Sequence, residues 1–189
     1  MMPLMAFGVQ NTLVKFYAEH NTEEDKSRFL NYVLVLPFVF ILPFTIIGIL
    51  FYRDLAILLS RENAIIYDYV WVIPVVGFFM GYFEIFYAWV KVHFQSVYGN
   101  FLKEVMLRIV VTLFLFAVYL QWITPVQFIY SLVFIYGFIM VLMAITAFKI
   151  RKPQFHLQFP KKKKEIIYYS AFIIFSSSIA VLLLYVDKF

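Results

Sequence analysis

The chain has 189 residues, of which 64% are hydrophobic and 14% charged, with a mean hydropathy of +0.87. That balance is too apolar for an ordinary water-solvated domain of this size, and it points to a chain surrounded by lipid or by other apolar helices. The absence of cysteine excludes disulfides, thiolate catalysis and Cys-ligated metals.

The first 18 residues read as a partial helix, with Gln10, Asn11 and Thr12 as its polar interior and Lys15 near its end. Met1 to Val14 lacks the basic start and small-residue cleavage site of a secretory signal. Residues 20–29 form the first aqueous loop. Asn21 or Thr22 caps the helix that follows, and Glu23, Glu24 and Asp25 suit its N-terminus.

Five apolar runs follow, at 30–51, 69–90, 102–122, 125–148 and 166–186. Each approaches the roughly 20 helical residues that cross a hydrocarbon core. Their continuous apolarity argues against a transmembrane barrel, whose short strands alternate in polarity. The fold expected is therefore an all-α polytopic membrane protein with five full transmembrane helices and a partial N-terminal one. Pro37 and Pro43 remove two backbone donors from the first span, while residues 52–68 are amphipathic enough to lie along an interface. Gly77 and Gly81 in the second span have the spacing of close helix approach, and Glu84 shares their face. Thr124-Pro125 supplies an N-cap and a first-turn proline for the fourth span.

Charge placement gives an orientation. Placing residues 15–28, 91–108 and 149–165 on one side collects 13 of the 16 Lys and Arg residues, and only Arg53, Arg61 and Lys188 fall on the other. The positive-inside rule makes the first set cytoplasmic, including loops 20–29, 91–100 and 149–165. The run Lys161 to Lys164 is a solvated orientation signal or a contact for anionic lipid headgroups. It carries no nucleic-acid reading, because no basic groove accompanies it.

Two charges inside apolar runs are candidates for function. Glu84 is a packed, protonated carboxyl, the partner of a nearby cation, or part of a substrate or proton path. Arg108 either pairs with Glu104 one turn back or lines a vestibule for an anionic lipid phosphate. If the two helices form a hairpin, a Glu84–Arg108 pair is open to them. His20, His93 and His156 fall in three loops without metal-ligand spacing, and no nucleophile elbow, dinucleotide fingerprint or P-loop is present. An enzyme is thus the weakest reading, and nothing calls for a haem, flavin or nucleotide cofactor. A membrane scaffold or assembly subunit remains the alternative to transport.

The segments NTLVKFYAEH at 11–20, VYGNFLKEVMLR at 97–108, and the basic loop before KEIIYYSAF with YVDKF at the end resemble the polysaccharide and lipid-linked oligosaccharide flippases of the multidrug/oligosaccharidyl-lipid/polysaccharide exporter superfamily. Members of that family have two helical bundles around a cavity that opens alternately to the two membrane faces. The resemblance implies that residues 1–148 are part of a first bundle, 149–165 a cytoplasmic basic linker and 166–189 the first helix of a second bundle, the rest lying outside this sequence. It implies translocation of a polyprenyl-pyrophosphate-linked oligosaccharide across the bacterial inner membrane, with membrane lipids and the missing helices as further partners. Arg108 and Lys15 would meet the anionic headgroup, Glu84 would orient a cation or couple conformations, and Asp187 matches the charged end of the seventh helix by position.

Overall fold

Long apolar runs and well-placed caps give a helical fold among the described residues. The computed structural model describes residues 6–20, 22–60, 66–152, 160 and 162–186, without the side chains of 39, 40, 42, 44, 180–182 and 184–186. Among the described residues there is no strand. The helices are α1 (Val9–Tyr17), α2 (Glu23–Leu50), α3 (Tyr52–Leu59), α4 (Ile66–Tyr69), α5 (Val72–Lys91), α6 (Ser96–Asn100), α7 (Leu107–Tyr119), α8 (Pro125–Ile150) and α9 (Lys163–Val186). A π-helical stretch, Phe101–Met106, joins α6 to α7, so the backbone is helical without a break from Ser96 to Tyr119.

The helix ends show how local sequence sets these boundaries. Thr22 opens α2 by accepting a hydrogen bond from the Asp25 amide at 3.1 Å, ahead of three acidic residues that complement the helix dipole. Thr124 opens α8 with a reciprocal capping box, accepting from the Gln127 amide at 3.2 Å while the Gln127 side chain accepts from the Thr124 amide at 2.8 Å. Two helices end in Schellman motifs without glycine. After α5, the Gln95 amide donates to Val90 O (3.2 Å) and the Phe94 amide to Lys91 O (3.0 Å), with Phe94 at φ +60°. After α7, the Trp122 amide donates to Ala117 O and the Gln121 amide to Val118 O, both at 2.9 Å, with Gln121 at φ +60°. An L side chain in this left-handed region costs about 1–2 kcal/mol, which glycine avoids.

Helix α5 organises the packing. Tyr69 and Trp71, just before it, meet Tyr130 near the start of α8, and Phe86 and Trp89 meet Phe148 near its end, so α5 and α8 run parallel. Helix α2 runs antiparallel to α5, with Tyr82 donating to Leu34 O at 3.0 Å and Phe38 packed on Phe78. Helix α1 lies between α5 and α9. Its Thr12 hydroxyl shares a 2.7 Å buried hydrogen bond with Ser170, and Phe16 meets Tyr169 edge-on. Gly8 makes this approach possible, because at φ +67° a Cβ would sit 2.8 Å from Ser170 O and 2.9 Å from Ile173 Cβ. Trp89, Phe29, Leu13, Ile85, Val90, Met143 and Ile166 fill the shared core.

The expected five full transmembrane helices are not what the chain forms. Among the described residues only α5 and α8 are long and apolar enough to cross a membrane. The run at 102–122 begins in the π-helical stretch and carries Lys103, Glu104 and Arg108 in its first turns, so it is less apolar than α5 or α8. The run at 30–51 lies in α2, which opens in five charged residues and carries Pro37 and Pro43 in its interior; that at 166–186 lies in α9, which opens in Lys163, Lys164 and Glu165. The amphipathic stretch at 52–68 holds the short helices α3 and α4.

The two long apolar helices are used differently. Nearly half of the apolar window of α5 is buried inside the chain (44%), against 17% for α8. Phe134 and Phe138 on α8, like Phe172 and Phe175 on α9, are exposed. A surface this apolar needs lipid or an apolar protein partner rather than water.

Candidate functional site

The two charges singled out from sequence come together at one cavity, each with a partner other than the one a hairpin suggested. Glu84 lies on the buried face of α5 and is only 9% exposed. Its Oε1 is 2.8 Å from the Lys103 ammonium, which projects from the π-helical stretch. Arg108, in the first turn of α7, donates to Glu104 Oε2 at 2.7 Å, the one-turn pair that their spacing allows. Glu84 and Arg108 are therefore neighbours without being partners. All four charged groups line a cavity of about 240 Å³, whose apolar walls include Phe79, Phe83, Leu107 and Ile139. A carboxylate so far from water is tolerable here because it is paired.

The π turn is what brings both cations to this cavity. Residues five apart in an α-helix point about 140° away from one another, whereas the i→i+5 repeat of a π turn stacks them. Lys103 and Arg108 are five apart and share the cavity wall. Tyr87 braces the arrangement from α5: its hydroxyl donates to Asn100 Oδ1 at 2.6 Å, and its ring centroid lies 5.8 Å from the Lys103 ammonium. Gly99 admits that ring, since a Cβ there would overlap it.

The other two candidates lie elsewhere. Lys15 ends α1 with its ammonium 3.9 Å from the centroid of the Tyr169 ring, a cation–π contact with α9, and it does not line the cavity. Asp187 lies outside the described residues. Lys103 is the cavity-lining cation that reading the sequence passed over. Its available signal was its position within one turn of Arg108, in the only part of the chain where two cations closely follow an apolar run containing a lone carboxylate.

A second cavity, of about 470 Å³, opens beside the N-terminal part of α5. It is almost wholly apolar and is lined by Ile41, Thr45, Gly48, Leu55, Trp71, Pro74 and Gly77, among others. Gly77 meets nothing within 4 Å at its Cβ position, so the close helix approach expected at that glycine is not made there.

The basic residues gather at one end of the bundle, where acids of the α1–α2 connection hold them. Lys162 meets Glu19 at 2.7 Å, and Arg151 donates to both Glu23 Oε2 and Glu23 O at 2.7 Å. The hydrogen bond from Lys162 holds the Glu19 carboxyl below the usual carboxylate range and raises the lysine in turn. Glu23 is likewise lowered, first by its hydrogen bond from Lys26 and then by that from Arg151. His93 joins the same end: its Nδ1 donates to Trp89 O at 2.8 Å, and its Nε2 shares a hydrogen bond with the Tyr17 hydroxyl at 2.9 Å.

Among the described residues, the fold and site thus define a helical chain with two helices long and apolar enough to cross a membrane and a small cavity lined by two ion pairs. Comparison with family models, curated proteins and solved structures found no match to this chain.

Proposed function

We propose that this chain belongs to a bacterial inner-membrane transporter that translocates a polyprenyl-pyrophosphate-linked oligosaccharide, and that the cavity between α5, the π stretch and α8 receives its anionic headgroup. The reading is supported chiefly by Arg108, a cation at the rim of a cavity that already holds a paired Lys103. The Arg108 side chain is 75% exposed, and its guanidinium makes one hydrogen bond to Glu104, leaving donors for a phosphate. An exposed i,i+4 pair is worth only about 0.3–0.5 kcal/mol, so an incoming phosphate displaces Glu104 at small cost. Lys103 is not so easily taken from Glu84, so that pair stays intact behind Arg108. The sugar and diphosphate need a polar shelter while the polyprenyl chain remains among apolar surfaces, and the exposed apolar faces of α8 and α9 are compatible with lipid on that side. In this reading the end bearing Glu19, Glu23, Arg151 and Lys162 faces the cytoplasm.

One observation favours the scaffold alternative: both cations at the cavity already have carboxylate partners, which a purely structural network would also show. Binding of polyprenyl pyrophosphate and of uncharged polyprenol to the full chain in lipid nanodiscs separates the two. Transport predicts preference for the pyrophosphate lipid and about a tenfold loss of that preference in Arg108→Ala, equivalent to about 1.4 kcal/mol. Equal binding of the two lipids, or a preference untouched in Arg108→Ala, would overturn the headgroup assignment in favour of a scaffold.

A further inference from the structure

The turn after α5 presents an aromatic side chain to the outside in a way that the chain's own packing does not explain. Phe94 is 98% exposed and sits at the left-handed position of the Schellman motif, where glycine is the residue that fits without strain. The turn itself is firmly held. His93 is tied to Trp89 O on one side and to the Tyr17 hydroxyl on the other, so the inner edge of the turn belongs to α1 and α5 and the Phe94 ring is left pointing away. Val97 is 81% exposed, and Tyr98 and Phe101 are exposed on the helical turns that follow. Together these make an apolar tip projecting from the end of one of the two helices long and apolar enough to cross a membrane.

The charges around this tip give it a partner. Lys91 is exposed one residue before the turn, and the parallel alignment of α5 with α8 puts Lys149 and Lys152 at the same end. Lys164 joins them through the Glu19–Lys162 and Tyr17–His93 contacts, which bring α9 and the turn to the end of α1. Lys91, Lys149, Lys152 and Lys164 have no ion-pair partner among the described residues, whereas Glu19, Glu23 and Glu24 are each already engaged by a cation. We infer that the Phe94 turn is a membrane anchor: Phe94 and Val97 insert at the headgroup–acyl boundary of a bilayer while the surrounding lysines attract anionic headgroups. Aromatic rings favour that boundary and juxtamembrane lysines favour an anionic leaflet, and the tip offers both chemistries at once. Glycine would close the turn at lower cost, so the turn's own geometry does not call for the ring.

This inference rests on the membrane reading above but not on the headgroup cavity, and the test keeps the levels apart. Because the chain has no cysteine, Val97→Cys and Phe134→Cys each create a unique site for an environment-sensitive fluorophore. The full chain is reconstituted in vesicles of phosphatidylcholine alone or mixed with phosphatidylglycerol. Quenching by acrylamide in the water is compared with quenching by brominated acyl chains in the lipid. The label at 134, on the exposed face of α8, is expected to be quenched from the lipid in both vesicles; its failure would sink the membrane reading itself. The label at 97 is expected to be quenched from the lipid, with acrylamide quenching several-fold lower in the anionic vesicles. Adding Phe94→Gly, which preserves the turn, should restore acrylamide access, and Lys91→Gln should weaken the dependence on phosphatidylglycerol. Free access of acrylamide to position 97 in both vesicles would overturn the anchor. Protection from acrylamide without quenching from the lipid would overturn it too, because the tip would then be covered by protein.

Discussion

The ion pair between Glu84 and Lys103 can be weighed by removing its members singly and together. At 2.8 Å, with the two side chains 11% and 17% exposed, the gross attraction is about 6 kcal/mol at an effective dielectric of about 20. Desolvating both ions offsets most of that, leaving a net coupling of about 2 kcal/mol. Glu84→Gln leaves a lysine facing a largely apolar cavity, and Lys103→Met leaves a carboxylate there, so each single change should cost about 2 kcal/mol. The double variant Glu84→Gln/Lys103→Met leaves no charge stranded and should cost no more than about 2 kcal/mol in all, well below the sum of the singles. Arg108→Gln provides the contrast, because its exposed one-turn pair should change stability by less than about 0.5 kcal/mol. Denaturant unfolding of the full chain in mild detergent, followed by fluorescence of the buried Trp89 and its fellow tryptophans, measures all four variants. Strict additivity of the two single changes would refute the reasoning, and so would a cost at Arg108 as large as that at Glu84.

The latches at the basic end should respond to pH in opposite directions. Glu19 and Glu23 titrate below the ordinary 4.5 when folded, so their stabilisation is present above pH 4.5 and is lost as pH falls through the depressed values. Lys162 is raised above 10.5, so its side of the Glu19 latch is fully present below that pH and is lost as pH rises through the folded value. Glu19→Gln should accordingly flatten both limbs of a plot of melting midpoint against pH. Gly8→Ala combines a strained left-handed φ with a clash against the α9 backbone and should destabilise by about 2 kcal/mol, read as a lowered unfolding midpoint. Thr124→Ala removes the capping box of α8 and should cost about 1 kcal/mol in the same assay.

The parts of the fold legible in the sequence are those governed by contacts a few residues long. Thr22 and Thr124 cap the helices that their side chains foretold, because an N-cap needs only a short polar residue two or three positions ahead of the amide it accepts from. Spans were over-counted for the complementary reason. A hydropathy run records which residues avoid water, but crossing a bilayer also requires a regular helix of sufficient length. At 102–122 the first turns of the run carry Lys103, Glu104 and Arg108, and the last described helical residue is Tyr119. The amide geometry that ends α5 at Phe94 and α7 at Gln121 was equally out of reach, since Schellman motifs are commonly marked by glycine and neither turn has one.

The cavity was half legible for a related reason. Glu84 and Arg108 stand out because ionisable residues in apolar runs are rare, and that rule found them without any knowledge of distance. Lys103 did not stand out, because beside Asn100 and Glu104 it looks like one more charge on a solvated helix start. On an ideal α-helix it would point about 140° from Arg108, and the wider π turn lessens that angle where both line the cavity. The extra residue in that turn therefore carries a consequence beyond local geometry. It lets Glu84 be neutralised by a lysine from the neighbouring helix while Arg108 keeps a weaker, exposed partner of its own. Of the two cations, the one held loosely is the one with guanidinium geometry and open donors, which is the division of labour that a site for an anionic headgroup requires.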